Sequence, residues 1–189
     1  MKNLFLTIII ITSLSCKSQL DNWITFSDKF NIGSILLPKQ PLESVDTIVT
    51  PTFKLIQCAN VIALDNKVIS PSAFNYSIIF PTNINDFDFF KMKKDSNVVN
   101  TLFNNMINGA INNSNSILIS KEYFHYPEPG VKITLHNSIS KQTSVTRIII
   151  FDDFVINTNA TGKDSDFDNK IEETYFNSLK VNSDKRTRK

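Results

Sequence analysis

Short segments of the chain are rich in Val, Ile and Phe and are bounded by prolines or polar turns. This pattern is typical of β-strands. The predicted strands cover residues 29–37, 45–50, 52–65, 75–80, 116–126, 131–137, 144–151 and 154–158. Segment 52–65 is largely apolar at both alternating sets of positions, which indicates a central strand buried on both faces. The last two strands should form a hairpin around Asp152-Asp153.

Two other segments place apolar residues three and four positions apart, the spacing of an amphipathic helix. The first is 95–113, where Asp95 or Ser96 is expected to accept hydrogen bonds from the first turn. The second follows Ser165-Asp166-Phe167-Asp168, which resembles a capping box. One face of this second helix carries Phe167, Ile171, Tyr175 and Leu179. The order strands, helix, strands, helix predicts an α+β fold, with two main helices flanking an antiparallel sheet.

Residues 1–15 have the pattern of a secretory signal: a basic start, a short apolar run and small residues before Cys16. The apolar run is too short to cross a bilayer, which takes about 20 residues. Ser15-Cys16 resembles the end of a lipoprotein box, whereas Ser13-Leu14-Ser15 also suits an ordinary signal peptidase. We expect lipidation of Cys16, because no disulfide explains a cysteine at this position. Two or more acyl chains would anchor the protein stably.

This interpretation divides the chain into four parts. They are a signal peptide at 1–15, a lipidated cysteine with a short tether at 16–22, one α+β domain at 23–182 and a basic tail at 183–189. Lys17 follows the cysteine and no run of acidic residues comes after it. We therefore expect attachment to the periplasmic face of the outer membrane, in the cell envelope.

Charge excludes one class of partner. The chain has 20 basic and 18 acidic residues, a formal net charge of +2, and much of the positive charge lies in the tail. Nucleic-acid-binding domains carry a basic face or stripe, so no nucleic acid is expected as a partner. The tail is typical of a solvated chain end, with contact to anionic lipid or to a partner as the alternative.

Residue patterns of known catalytic sites are absent from the sequence. The four glycines are isolated from one another, so there is no phosphate-binding loop. His125 and His136 are the two histidines, and neither has the spacing of a metal ligand. Cys58 is expected to be a small core residue. Turn chemistry explains Asp152-Asp153, and a solvated helix surface explains Glu172-Glu173. We therefore predict no catalytic, cofactor-binding or metal-binding residues.

Three aromatic residues cluster just before the first predicted helix: Phe87, Phe89 and Phe90. One interpretation is a hydrophobic cap over the sheet. The other is an exposed patch that grips a lipid or a peptide, and it makes these three residues the candidate binding surface.

Several short motifs, taken in order, resemble the PsbP-like domains. The opening resembles theirs in Trp23-x-x-Phe26, Phe30-x-Ile32 and Leu37-Pro38-x-x-Pro41, and later matches are Asn75 to Pro81, Tyr126 to Val131, Phe151 to Val155 and Tyr175 to Val181. The resemblance implies a twisted antiparallel sheet between helices and a non-enzymatic role as an accessory or binding subunit. Photosystem members of the family help to stabilise a metal cluster, but no matching ligand residues occur here. Bacterial members are often lipoproteins, and some relatives act as chaperones or partners of envelope proteins.

The leading hypothesis is a membrane-tethered periplasmic binding or accessory module, with an envelope protein or a small apolar ligand as its partner. One alternative is an envelope hydrolase or other enzyme. Another is an immunity or chaperone-type protein that masks its partner. An enzyme should bring titratable groups together in a pocket, whereas a binding module should expose an apolar patch.

Overall fold

The computed structural model describes residues 22–49, 54–64, 71–82, 88–125, 128–164, 167–182 and 184. Ten strands and three helices lie in these ranges. The strands are β1 (Ile24–Ser27), β2 (Gly33–Leu37), β3 (Leu42–Val49), β4 (Lys54–Ala63), β5 (Ala73–Pro81), β6 (Ile117–Phe124), β7 (Gly130–Asn137), β8 (Gln142–Ile150), β9 (Val155–Lys163) and β10 (Lys180–Val181). The helices are α1 (Phe89–Met92), α2 (Ser96–Ser114) and α3 (Asn169–Asn177).

Seven strands form one antiparallel sheet in the order β3-β4-β5-β9-β8-β7-β6. The predicted hairpin around Asp152-Asp153 is confirmed, since β8 and β9 pair antiparallel from Ile150 opposite Val155. The strands β1, β2 and β10 form a second, smaller antiparallel sheet. The α+β class is therefore confirmed, with two sheets in place of one.

The small sheet and α3 cover one face of the large sheet. Their shared core includes Leu37 from β2, Phe74 and Tyr76 from β5, and Ile171 and Tyr175 from α3. The predicted apolar face of α3 is confirmed, because Phe167 and Leu179 also pack against this core.

Helix α2 covers the opposite face of the large sheet. Val99, Phe103 and Ile107 point inward from the helix and meet β7 residues such as Val131 and Ile133. Asp95 is the N-cap, with its carboxylate accepting hydrogen bonds from the Asn97 and Val98 amides, as the sequence predicted. Among the described residues, no helix combines the length and the apolarity needed to span a membrane.

The structure corrects three predicted elements. The predicted strand at 29–37 is shorter, because residues before Gly33 form a turn in which Asn31 has a positive φ of 53°. The helix α3 is capped by Asp168 instead of by Ser165, since the Asp168 carboxylate accepts from the Lys170 and Ile171 amides. The one-turn helix α1, capped by Asp88, was not predicted and adds a third helix to the expected two.

Strand β4 lies inside the sheet between β3 and β5, but it is not buried on both faces as predicted. It lies next to β3, which ends the sheet in the described part of the chain. Cys58, Asn60 and Ile62 are buried on one face of β4. On the other face Val61 is 42% exposed, because α2 covers the opposite half of the sheet.

Candidate binding surface

The predicted aromatic patch does not form as one exposed surface. Phe89 is 1% exposed and lies in the core beneath α2, so it cannot be part of an exposed patch. Phe90 is half-buried, and the Lys94 ammonium lies 3.7 Å from its ring centroid. Phe87 lies outside the described residues. The capping interpretation is therefore correct for Phe89, which closes the core at the start of α1.

The other candidate residues that the structure describes lie on or beside different strands. Cys16 lies outside the described residues. Cys58 is buried in β4, in agreement with the expected small core residue. His125 is exposed just after β6, and His136 lies on β7 with its Nδ1 3.3 Å from the Asp164 Oδ2. Within the described ranges no three His, Cys, Asp or Glu side chains group as a metal site would require.

Asp152 is a buried ionic residue, and the expectation of simple turn chemistry was wrong for it. Its side chain is 2% exposed, and its Oδ1 lies 2.5 Å from the Lys93 ammonium. The same ammonium donates a hydrogen bond of 2.8 Å to Glu128. Burial alone would lower the pKa of Lys93, but the carboxylates of Asp152 and Glu128 outweigh it and raise the pKa above its ordinary value. This cluster joins the end of α1 to the β8–β9 hairpin.

Glu172 is also buried, so the expectation of a solvated helix surface was wrong for it, although Glu173 is exposed. Its Oε1 lies 2.9 Å from the Lys132 ammonium on β7. Nearby, the Arg147 guanidinium stacks on the Phe176 ring at 4.8 Å. Burial lowers the pKa of Arg147, against the opposing effect of Glu172 and other carboxylates. The Lys132–Glu172 ion pair and the Arg147–Phe176 contact therefore join α3 to β7 and β8 of the large sheet.

A third buried polar network surrounds Asp28, in the turn between β1 and β2. Its carboxylate accepts hydrogen bonds from the Phe30, Ile32 and Gly33 amides at 2.6–3.2 Å. It also accepts one of 3.1 Å from the Tyr76 hydroxyl. Burial, with the adjacent carboxylate, raises the pKa of Tyr76 well above its ordinary value. The phenol therefore stays protonated and ties the small sheet to the large one.

One surface depression has the size of a ligand site but not its chemistry. It measures about 400 Å³ and lies between α3 and β2. It is wide open, and its walls are Leu36, Lys170, Glu173, Thr174, Asn177 and Ser178. One basic and one acidic side chain offset each other there, and no aromatic ring is present on which a ligand could stack.

Strand β3 carries exposed aliphatic side chains on both of its faces. The exposed fractions are 81% for Leu42, 59% for Val45 and 65% for Val49. Leu42 and its β4 partner Val61 lie on one face of the sheet, and Val45 and Val49 lie on the other. Aliphatic side chains left exposed on both faces of the last described strand are available to an interaction partner. Sequence reasoning missed this surface, because the alternation within 45–50 predicted a strand but not its place at the end of the sheet.

The other end of the sheet is also apolar but irregular. Ile117, Leu118 and Ile119 on β6 are exposed. The pairing of β6 with β7 shifts between Leu118 and Ser120, so Ile119 lies in a β-bulge. Bulges of this kind protect an edge strand from further pairing.

Comparison with known proteins yields likenesses among solved structures. No family model matches the sequence, and no curated protein matches it significantly. Among solved structures, the solution structure of cyanobacterial PsbP (CyanoP) from Synechocystis sp. PCC 6803 is similar, with a TM-score of 0.47 and 10% sequence identity. The match covers 85% of this chain and 93% of that one. The PsbP-like fold predicted from the motifs stays a prediction, and no residue's role is taken from this likeness.

Proposed function

We propose that this protein is a membrane-tethered binding or accessory module of the bacterial cell envelope. Cys16 would carry the lipid anchor on the periplasmic face of the outer membrane, and the domain would bind an envelope protein. The tether is supported by the signal-like pattern of residues 1–15 and by the small residue directly before Cys16.

The observation that carries the binding role is the set of exposed aliphatic side chains on the two faces of β3. Leu42, Val45 and Val49 lose little water-accessible surface in the fold, since all three are more than half exposed. Covering such residues stabilises a complex by roughly 25 cal/mol per Å² of apolar surface. A chain tethered at a membrane meets its neighbours at a high local concentration, so a modest apolar surface suffices for association.

The tether can be tested by metabolic labelling with an alkyne fatty acid. The wild-type protein should take up the label, and Cys16→Ala should lose it and be released from the membrane. Cys58→Ala is the matched control, because Cys58 is buried in β4 and should not affect labelling. An unlabelled wild-type protein, or a mature chain that begins elsewhere, would refute the anchor.

The orientation has its own measurement. Protease added to intact cells should spare the protein and should digest it once the outer membrane is opened. Rapid digestion in intact cells would place the domain on the outside.

The binding role can be tested by cross-linking in intact cells, followed by isolation of the tethered protein. A discrete envelope polypeptide should be captured by the wild type and by a triple variant in which His125, His136 and Cys58 are all replaced by Ala. Circular dichroism would verify that the variant folds. A turnover that the wild type possesses and the folded triple variant lacks would favour the enzyme hypothesis instead.

A further inference from the structure

We propose that β3 is a strand-addition site, which takes an extended segment of a partner polypeptide as an eighth strand of the large sheet. The segment would carry two basic residues three positions apart, with β-branched residues around them. This inference rests on the proposed function and names how the module binds and what it recognises.

The direction of the backbone groups of β3 follows from its neighbour. On β4, the Lys54 carbonyl accepts from the Thr82 amide and the Leu64 amide donates to the Ser72 carbonyl, so even-numbered residues of β4 face β5. The odd-numbered ones therefore face β3, and they pair with even-numbered residues such as Ser44 and Asp46. It follows that Glu43, Val45, Thr47 and Val49 direct their N–H and C=O groups away from the sheet.

An independent contact agrees with this assignment. The Thr47 amide donates a 2.7 Å hydrogen bond to the Oδ1 of its neighbour Asp46. An amide that belonged to the ladder with β4 would point away from this exposed carboxylate. The outer edge of β3 thus offers main-chain donors and acceptors, and an incoming carbonyl would replace the Asp46 contact at Thr47.

Among the described residues, β3 lacks a bulge, a proline and a lysine, three of the devices that protect an edge strand. Such edges are commonly blocked by a bulge, a proline or a lysine. The eight residues of β3 pair with β4 in continuous register, and its sequence LESVDTIV contains neither lysine nor proline. In contrast, β6 has both the bulge at Ile119 and a lysine at position 121. The difference makes β3 the edge at which strand addition is expected.

The charges of β3 select the chemistry of the partner. Its two ionic residues, Glu43 and Asp46, are both acidic and exposed, and they lie on opposite faces of the strand. Opposite charges facing each other across two strands stabilise the pair, whereas like charges destabilise it. A second copy of β3 would bring four carboxylates to one interface. A segment with lysine or arginine opposite Glu43 and opposite Asp46 would neutralise both.

The probe is the fluorescent peptide Val-Val-Thr-Lys-Val-Thr-Lys-Val, which places a lysine opposite Asp46 and another opposite Glu43 in antiparallel pairing. Binding to the full chain in detergent micelles would be measured by anisotropy. Exchanging both lysines for glutamate should weaken binding at least about tenfold. The preference for the lysine peptide over the glutamate peptide should disappear in the double variant Glu43→Gln, Asp46→Asn, which keeps the shape of the strand.

The main-chain contacts can be tested within the same peptide. N-methylation at its third and fifth residues, opposite Thr47 and Val45, removes the donors that face β3. Binding should fall by about tenfold or more. N-methylation at the fourth and sixth residues removes donors on the far side and should be tolerated. Equal effects of the two methylation patterns would overturn strand addition.

Two matched variants of the protein complete the test. Val45→Lys places a charge on β3 and Ile119→Lys places one on β6, at positions that are 59% and 58% exposed. Only Val45→Lys should weaken binding, with unchanged circular dichroism in both. The proposal would be overturned if the two variants lost peptide binding equally, or if the lysine peptide did not bind at all. A concentration-dependent dimer that Val45→Lys disrupts would also overturn it. An envelope partner still captured by Val45→Lys would leave the proposed function standing and refute strand addition alone.

Discussion

Replacing Lys93 by Met should destabilise the protein by about 3 kcal/mol, because it removes the cation shared by two buried carboxylates. The Lys93 ammonium lies 2.5 Å from Asp152 and 2.8 Å from Glu128, and the three side chains are 16%, 2% and 12% exposed. At these distances each pair attracts by about 6 kcal/mol at an effective dielectric constant of about 20. Desolvation offsets most of this attraction, and removing one member of a buried pair costs about 3–5 kcal/mol.

The assay is urea unfolding followed by the fluorescence of Trp23, which packs edge-on against Phe74 with ring centroids 5.2 Å apart. With a slope of about 2 kcal/mol per molar urea, the midpoint should fall by about 1.5 M. Lys91→Met is the matched control. Lys91 is exposed and 3.8 Å from Asp88, so its loss should cost less than about 0.5 kcal/mol.

The dependence on pH has a definite sign. The pKa of Lys93 is raised in the folded state from an ordinary value of 10.5. Its contribution to stability is therefore complete below pH 10.5 and is lost as the pH rises through the raised value. The stability advantage of the wild type over Lys93→Met should therefore disappear in that alkaline range. A cost below about 1 kcal/mol for Lys93→Met at neutral pH would refute the reasoning, as would a double variant with Asp152→Asn that recovers no stability.

Three further substitutions test the fold. Gly130→Ala should destabilise it strongly, because the added Cβ would run into the Phe124 ring and come within 2.8 Å of the Ile148 carbonyl. Gly109→Ala should instead stabilise it by about 0.5–1 kcal/mol, since nothing lies within 4 Å and alanine favours a helix. The stability of both glycine variants is measured as the midpoint of thermal unfolding. Equal midpoints would contradict the close packing described around Gly130. Tyr76→Phe should cost about 1.5–3 kcal/mol in urea unfolding by removing the hydrogen bond to the Asp28 carboxylate, and a neutral result would contradict that contact.

Local features of the fold were predictable because their causes are local. Helix α2 follows from the three- and four-residue spacing that brings Val99, Phe103 and Ile107 to one face, and its start follows from the Asp95 carboxylate. The N-cap of α3 was assigned three residues too early, since Ser165 and Asp168 are equally good caps by residue type.

The candidate site was not predictable in the same way. Phe89 and Phe90 are neighbours in the chain, yet Phe89 is in the core and Phe90 is half-buried. Asp152 and Glu172 lie in contexts typical of solvated carboxylates, and their partners Lys93 and Lys132 come from distant elements. Burial of a charge depends on a partner that folding brings near it, and spacing along the chain contains no information about that partner.

The sequence by itself determined the kinds of elements, their order and the antiparallel α+β class, because alternation and helical spacing record which side chains must leave water. The order of the strands was decided only in the tertiary structure. Every strand has the same backbone donors and acceptors, so residues 42–49 are as able to pair on two sides as on one. Only the tertiary structure makes β3 the last described strand at one end of the sheet. On one face α2 packs over the far half of the sheet and leaves Leu42 in water, and on the other face Val45 and Val49 are exposed.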